Sequence, residues 1–281
     1  MEKIAILTDS GCDLPHEILK EYNIKLLPFR IIYKDKEFLD ILEISPDEIY
    51  ENLPKEIPTT SLPDLQYMEN LLNELENEGY THIIAVTISS ALSGTHNSLR
   101  IMLENHPNLT SFIFDTKTLS RPEGETALTV AKMVKEGASF EEITKALPKI
   151  QSHLFGYYTL NTLEYLKKGG RIGKVAGTIA ELLNIKPIIG IGEDGSYYTH
   201  SKARGRKQAI SKLKQLVEDF TSQGKCRIFV LDGGANEEAK KLCEYFSTQN
   251  NVVECSISKI GPALGVHTGP GLLGVTIQTG L

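Results

Sequence analysis

The feature that most constrains this chain is an alternation that runs through residue 153. Apolar runs of strand length, each ending in polar residues, are followed by stretches with a helical apolar period. "KIAILTD" at 3–9, "THIIAVTIS" at 81–89 and "LTSFIFD" at 109–115 read as buried strands. "DLPHEILKEYNI" at 13–24, "LQYMENLLNELENEG" at 65–79, a segment beginning near Gly94 and "EGETALTVAKMVKEG" at 123–137 read as helices. "SFEEITKALPKIQSH" at 139–153 adds another, and Ser45 followed by Pro46 marks a further helix start. "KLLPFRIIYK" at 25–34 reads as extended and "PTTSLPD" at 58–64 as a polar loop. Strands alternating with helices predict an α/β unit, a parallel sheet with helices on both faces.

Beyond residue 153 the pattern changes. "LFGYYTL" at 154–160 and "KPIIGIGEDGSYYTHSKA" at 186–203 read as strands, with "EDGS" as a hairpin turn. Helices are expected at 164–168 and 173–183, and the helix "RKQAISKLKQLVEDFTSQG" at 206–224 opens a further strand–helix succession. A hairpin requires antiparallel pairing, so this sheet should be mixed. The chain of 281 residues is long enough for two cores. The expectation is two α/β domains, residues 1–153 and 154–281, with ligands gathering at the C-terminal ends of the parallel strands.

A formal net charge of -6 argues against a general nucleic-acid binder. "MEKIAILTDSG" is too short an apolar run for a secretory signal and no stretch has membrane-span length, so a cytoplasmic location is expected. Cys12, Cys226, Cys243 and Cys255 lack CxxC spacing and are expected as reduced thiols, with no zinc site.

Four stretches carry candidate chemistry. In "ISSALSGTH" at 88–96, Ser93, Gly94 and Thr95 fall where a helix should start, and hydroxyls beside free backbone N–H groups suit a carboxylate or phosphate. Ordinary capping is the rival explanation. The G-x-S-x-G nucleophile context is absent. Asp9, Asp13 and Asp115 could bind a divalent cation, but the simpler role is that Asp9 and Asp13 hydrogen-bond their own turns or cap the following helix, and no metal is expected. In "LKKGGRIGKVAG" at 166–177, Gly169 and Gly170 permit an unusual turn and Arg171 offers a planar fork of donors to an acid. A solvated basic turn explains the same residues, and Arg204 and Arg206 read as a solvated helix start. "GPALGVHTGPGLLGV" at 261–275 surrounds His267 with glycines. It is either an anion donor when protonated, a hydrogen-bonding imidazole, or an exposed residue in a Gly/Pro connection.

Taken together, "TDSGCDLP", "TTSLPD", "ISSALSGTHNS", "LEYLKKGGRIGK" and "HTGPGLLGV" resemble, in order and nearly end to end, the DegV family of fatty-acid-binding proteins. Members of that family serve as the binding subunit of bacterial fatty-acid kinase. The resemblance implies two α/β domains with a long-chain fatty acid between them. Thr60, Ser61, Ser93, Gly94, Thr95 and His267 would surround its carboxylate. Arg171, with Gly170, would support the head group or phosphoryl transfer. It also implies a fatty-acid kinase catalytic subunit as partner, with ATP and metal belonging to that partner, and no cofactor or turnover in this chain alone. Membrane contact would be transient at most. A stand-alone hydrolase or phosphotransferase, or a lipid-occupancy sensor, is the alternative. Leu62 and Asp64 depart from the family's usual loop, and Asp64 should face away from a carboxylate. "LSRPEG" departs as well, so Arg121 and Glu123 could alter the tunnel entrance or the preferred chain length.

Overall fold

The computed structural model describes residues 2–178 and 184–281. Its N-terminal half follows the order β1 (Ile4–Asp9), α1 (His16–Glu21), β2 (Ile24–Leu27), β3 (Arg30–Ile32), β4 (Glu37–Leu39), α2 (Pro46–Asn52), β5 (Thr59–Ser61), α3 (Leu65–Asn77), β6 (His82–Thr87), α4 (Thr95–Leu103), β7 (Thr110–Asp115), α5 (Arg121–Lys135) and α6 (Phe140–Ser152). The C-terminal half has β8 (Leu154–Thr159), α7 (Glu164–Lys168), β9 (Ile185–Ile191), β10 (Tyr197–Arg204), α8 (Gly205–Thr221), β11 (Cys226–Gly233), α9 (Asn236–Ser247), β12 (Val252–Lys259), α10 (Pro262–Thr268) and β13 (Leu272–Gln278).

In the N-terminal half, β2-β1-β6-β7 form a four-stranded parallel sheet. The period-2 alternation of side chains divides each strand between two cores. Ala5, Leu7, Ile83 and Ala85 pack with Met68, Leu72 and Leu99 of α3 and α4. Ile6, Ile84 and Val86 pack on the opposite face with Leu128, Ile143 and Leu147 of α5 and α6. The Ser45–Pro46 signal is a complete capping box in which Ser45 and Glu48 cap one another.

The C-terminal sheet is mixed, in the order β10-β9-β8-β13-β11-β12, with β11 and β12 parallel and the other pairs antiparallel. The "EDGS" turn joins β9 to β10, and Gly195 there has φ of +77°, a conformation that L side chains rarely adopt. One face of this sheet packs on α8 and α9. The other meets the N-terminal half in a shared core that joins Phe29, Ile31, Ile88 and Leu119 to Tyr158, Tyr197, Leu231, Leu264 and Leu272.

Three segments differ from the expectation. Thr59–Ser61 forms a strand, β5, which pairs with β3 in a small antiparallel sheet of order β4-β3-β5. The Gly/Pro-rich stretch around His267 contains a helix, α10, with Pro262 in its first turn, where a missing N–H costs nothing. The expected helix at 173–183 is a 3-10 turn over Gly173–Thr178, and the remainder lies outside the described residues. No described helix is long and apolar enough to cross a membrane.

Candidate functional site

Between the halves lies a cavity of about 220 Å³. It is walled by Thr60 and Ser61 from β5, by Ser93 from the loop before α4, by Arg171 from the turn after α7, and by His267 from α10. Phe29, Ile88, Leu92, Leu119, Tyr197 and Leu264 are among its apolar walls. A narrower apolar chamber shares Leu119, Tyr197, Leu264 and Thr268 with it and continues past Tyr158, Leu231 and Leu272. One end of the cleft is therefore polar and the other apolar.

Ser93 is not the cap of α4. Gly94 holds that position without a side-chain cap bond, while Ser93 Oγ lies 2.8 Å from Thr95 Oγ1 on the cavity side. Gly94 and Thr95 flank the wall; Thr95 is buried and neither residue lines the cavity. Thr60 Oγ1 stands 2.7 Å from His267 Nε2. Burial, reinforced by the nearby Arg171 charge, lowers the His267 pKa to about 4. At neutral pH the ring is therefore uncharged, which corrects the sequence-based reading of a protonated anion donor and that of an exposed residue. Its Nδ1 is buried without a partner.

Arg171 supplies the positive charge. Its Nη1 donates to the Gly169 carbonyl at 2.7 Å and its Nε to the Leu92 carbonyl at 3.3 Å. The second bond ties the C-terminal half to the serine-rich loop. The guanidinium carries five N–H donors in a rigid fork, more than two carbonyls consume. The two glycines before it act differently. Gly170 has φ of +72° and lets the chain turn. Gly169 has an ordinary backbone, but a Cβ there would stand 2.1 Å from His267 Nδ1. Its lack of a side chain makes room for the imidazole.

Beneath the cavity lies a buried carboxylate cluster. Asp9 accepts from Gly11 N and Ile88 N, capping its own turn as expected and bracing the serine-rich loop. Asp13 reaches across the chain: it accepts from Gly261 N at 2.8 Å and from the Ser120 hydroxyl. Asp40, which no local motif marks, accepts from Ala263 N at 2.9 Å. Two aspartates of the N-terminal half thus clasp the start of α10, the helix that carries His267. Burial raises Asp9, Asp13 and Asp40 to about 7 and pushes Glu123, which faces Asp9, well up. Glu123 is fully buried in this cluster, and Arg121 pairs with Glu125 over the Phe229 ring, so neither sits at a cavity mouth. Asp115 is apart from the cluster, bonded to Ser90 and to Lys117 N. Asp64 caps α3 through Tyr67 N rather than lining the cavity, whereas Leu62 does line it. Arg206 is half-buried against Glu238 and not a solvated end.

Comparison with known proteins agrees with this architecture. The family model described as "Uncharacterised protein, DegV family" matches residues 3–280. A DegV domain-containing protein of Clostridium perfringens is 49% identical over 278 residues, covering 99% of each chain. The protein DegV of Bacillus subtilis is 31% identical, over 97% of this chain and 98% of its own. The solved structure of that DegV, described as a fatty acid binding protein, superposes with a TM-score of 0.91 at 29% identity over 99% of both chains. A Thermus thermophilus DegV family structure described by its fatty acid binding gives 0.91 at 27% identity, again over 99% of both. With the family match spanning both halves and the cleft between them, the chain belongs to the DegV family.

Proposed function

We propose that this protein binds one long-chain fatty acid in the cleft, with the carboxylate at the polar end and the acyl chain in the apolar continuation. The observation that carries the reading is the polarity gradient across two adjoining cavities with shared walls: hydroxyls, a neutral imidazole and a guanidinium at one end, leucines and tyrosines beyond them. Fatty acid binding in structurally similar DegV proteins supports it. The division of labour follows from magnitudes. Burying a chain of about 16–18 carbons contributes on the order of 10 kcal/mol before ordering costs. Hydroxyls around a carboxylate add orientation and specificity rather than the bulk of affinity. Thr60, Ser61 and Ser93 are the proposed donors, Thr95 and Gly94 support Ser93, and Gly170 shapes the turn that brings in Arg171. His267 acts as a neutral hydrogen-bonding group.

The finer proposal is that this cytoplasmic carrier has no turnover alone and presents the carboxylate to a separate fatty-acid kinase. There a carboxylate oxygen attacks the γ-phosphorus of the partner's ATP, ADP leaves, and an acyl phosphate forms. Positioning and charge neutralisation dominate such a step, and Arg171 is suited to the second. A hydrolase with Ser93 as nucleophile is disfavoured, because Ser93 bonds Thr95 while His267 bonds Thr60.

Native mass spectrometry followed by denaturing lipid extraction tests the ligand. One fatty acid per chain is expected, and repeated absence after mild purification overturns the reading. ATP consumption by the purified chain without a partner would overturn the carrier role.

A further inference from the structure

We infer that Gly156 is the gate at the far end of the acyl channel and sets the upper limit of ligand chain length, an inference that rests on the fatty-acid reading above. The apolar chamber, with about 30 Å³ of free space, meets a third cavity of about 440 Å³ at Gly156 and Ile191. That outer cavity lies where the end of β7 meets β8 and β9, with Phe114 and Leu154 among its walls and Asp115, Lys117 and Glu193 among its polar residues. The three spaces therefore adjoin in order: polar pocket, narrow apolar chamber, outer groove.

Gly156 sits in the middle of β8, paired with Thr276 of β13. Alternation along the strand places it on the same face as Tyr158, which belongs to the core shared by the two halves. Its backbone shows no left-handed conformation, so conformational freedom does not explain a glycine here. Space does: a Cβ would stand 3.3 Å from Pro122 Cγ, already a tight contact, so a longer side chain crowds the chamber that Gly156, Pro122 and Ile191 line together. Pro122 lies in the "LSRPEG" departure, which therefore reaches the channel at this inner wall. Short chains would end within the chamber. Longer ones would pass Gly156 and lay their last methylenes in the outer groove.

The test exchanges the full-length protein against an equimolar mixture of saturated fatty acids from C12 to C20 and reads retained species by native mass spectrometry. Gly156→Val is expected to keep C12 and C14 while its C18-to-C12 ratio falls at least tenfold. Gly156→Ala should lie between it and the unaltered protein. Ile191→Phe adds bulk on the same sheet face, on the strand beside Gly156, and gives an independent variant if Gly156→Val does not fold. Identical length profiles in the unaltered and folded variant proteins overturn the gate, as does an equal loss at every chain length. If the unaltered protein retains no fatty acid of any length, the ligand reading fails and the gate falls with it. Retention that is normal in length profile but insensitive to these variants defeats the gate alone.

Discussion

The cavity wall and the aspartate clasp beneath it are neighbours built from polar residues, yet they use hydrogen-bonding capacity in different ways. In the clasp, Asp13 has both oxygens engaged, one by Gly261 N and one by the Ser120 hydroxyl, while Asp40 holds Ala263 N with one oxygen and keeps the other buried away from the cavity without a partner among the described residues. On the wall, Ser93 meets a neighbouring hydroxyl, His267 uses one ring nitrogen, and its other nitrogen has no partner. Polar groups engaged by backbone donors serve the fold, whereas groups that line the cavity with capacity left over are free to meet a ligand. The acidic cluster is therefore an anchor for the helix that delivers His267, and the hydroxyl wall is the surface proposed to meet the carboxylate.

The sharpest way to break this distinction is Asp13→Ala. It leaves the Gly261 N–H and the Ser120 hydroxyl without their acceptor in a buried place, at roughly 1–3 kcal/mol for each unsatisfied group. Urea unfolding should show a loss of about 2–5 kcal/mol, with fatty-acid retention falling as α10 loosens. Asp13→Asn keeps an acceptor oxygen and should lose less than half as much. A destabilisation below about 0.5 kcal/mol in Asp13→Ala would mean that the clasp holds nothing.

Next comes pH. Asp9, Asp13 and Asp40 are raised from 3.8 to about 7, so the folded chain holds protons that the unfolded chain releases. Their stabilising contribution is complete below pH 3.8 and is lost as pH rises through 7. His267, lowered from 6.5 to about 4, acts in the opposite sense: its contribution is present above 6.5 and is lost as pH falls towards 4. Between pH 8 and 6 the carboxyls dominate, and stability should rise by about 1 kcal/mol for each carboxyl that titrates there. Asp40→Asn should reduce that slope, measured as the urea midpoint against pH. A midpoint that falls from pH 8 to 6 contradicts the assignment.

The parts of the molecule legible in the sequence are those whose cause is local. The Ile83–Val86 run declares a strand buried on both faces, Ser45–Pro46 declares a helix start, and Gly195 declares the hairpin turn. The rest depends on partners far along the chain. Thr59–Ser61 looks like a polar loop because only its pairing with β3 makes it a strand. Helix α10 looks like a Gly/Pro connection because its first N–H groups are capped by Asp13 and Asp40, 248 and 223 residues away from their partners. Thr60, Ser61, Ser93, Arg171 and His267 were reachable through ordered motifs, but Asp40, Leu119, Tyr197 and Leu264 carry no local signal. Gly169 reads in the sequence as freedom to turn, whereas its importance is the space it leaves for His267.

Gly169→Ala tests that space. A methyl 2.1 Å from His267 Nδ1 cannot be accommodated without moving the ring or the turn. Overpacking of this kind typically costs about 1–3 kcal/mol. Because the displaced group lies on the wall, ligand retention should drop along with stability. Gly170→Ala provides the contrast, since nothing lies within 4 Å of its Cβ position and only its φ of +72° opposes the change. It should weaken stability by about 1 kcal/mol and leave His267 in place, as the imidazole resonances in NMR would report. Equal displacement of His267 in both variants would remove the distinction drawn between the two glycines.

The smallest effect on the fold and the most telling for the wall is Ser93→Ala. Its hydroxyl caps no helix and meets only the Thr95 side chain and, weakly, Thr95 N at 3.4 Å. Removing it should change stability by less than about 0.5 kcal/mol. A hydrogen bond to a bound carboxylate contributes about 1.5–3 kcal/mol, so fatty-acid affinity should fall about tenfold to a hundredfold. Competition against a fluorescent fatty acid measures that change, and urea unfolding measures the other. The ratio of the two separates a group that reads a ligand from one that holds the fold. If Ser93→Ala destabilises the chain as Asp13→Ala does while binding is unchanged, Ser93 belongs with the clasp, and the polar end of the cavity loses its central hydroxyl.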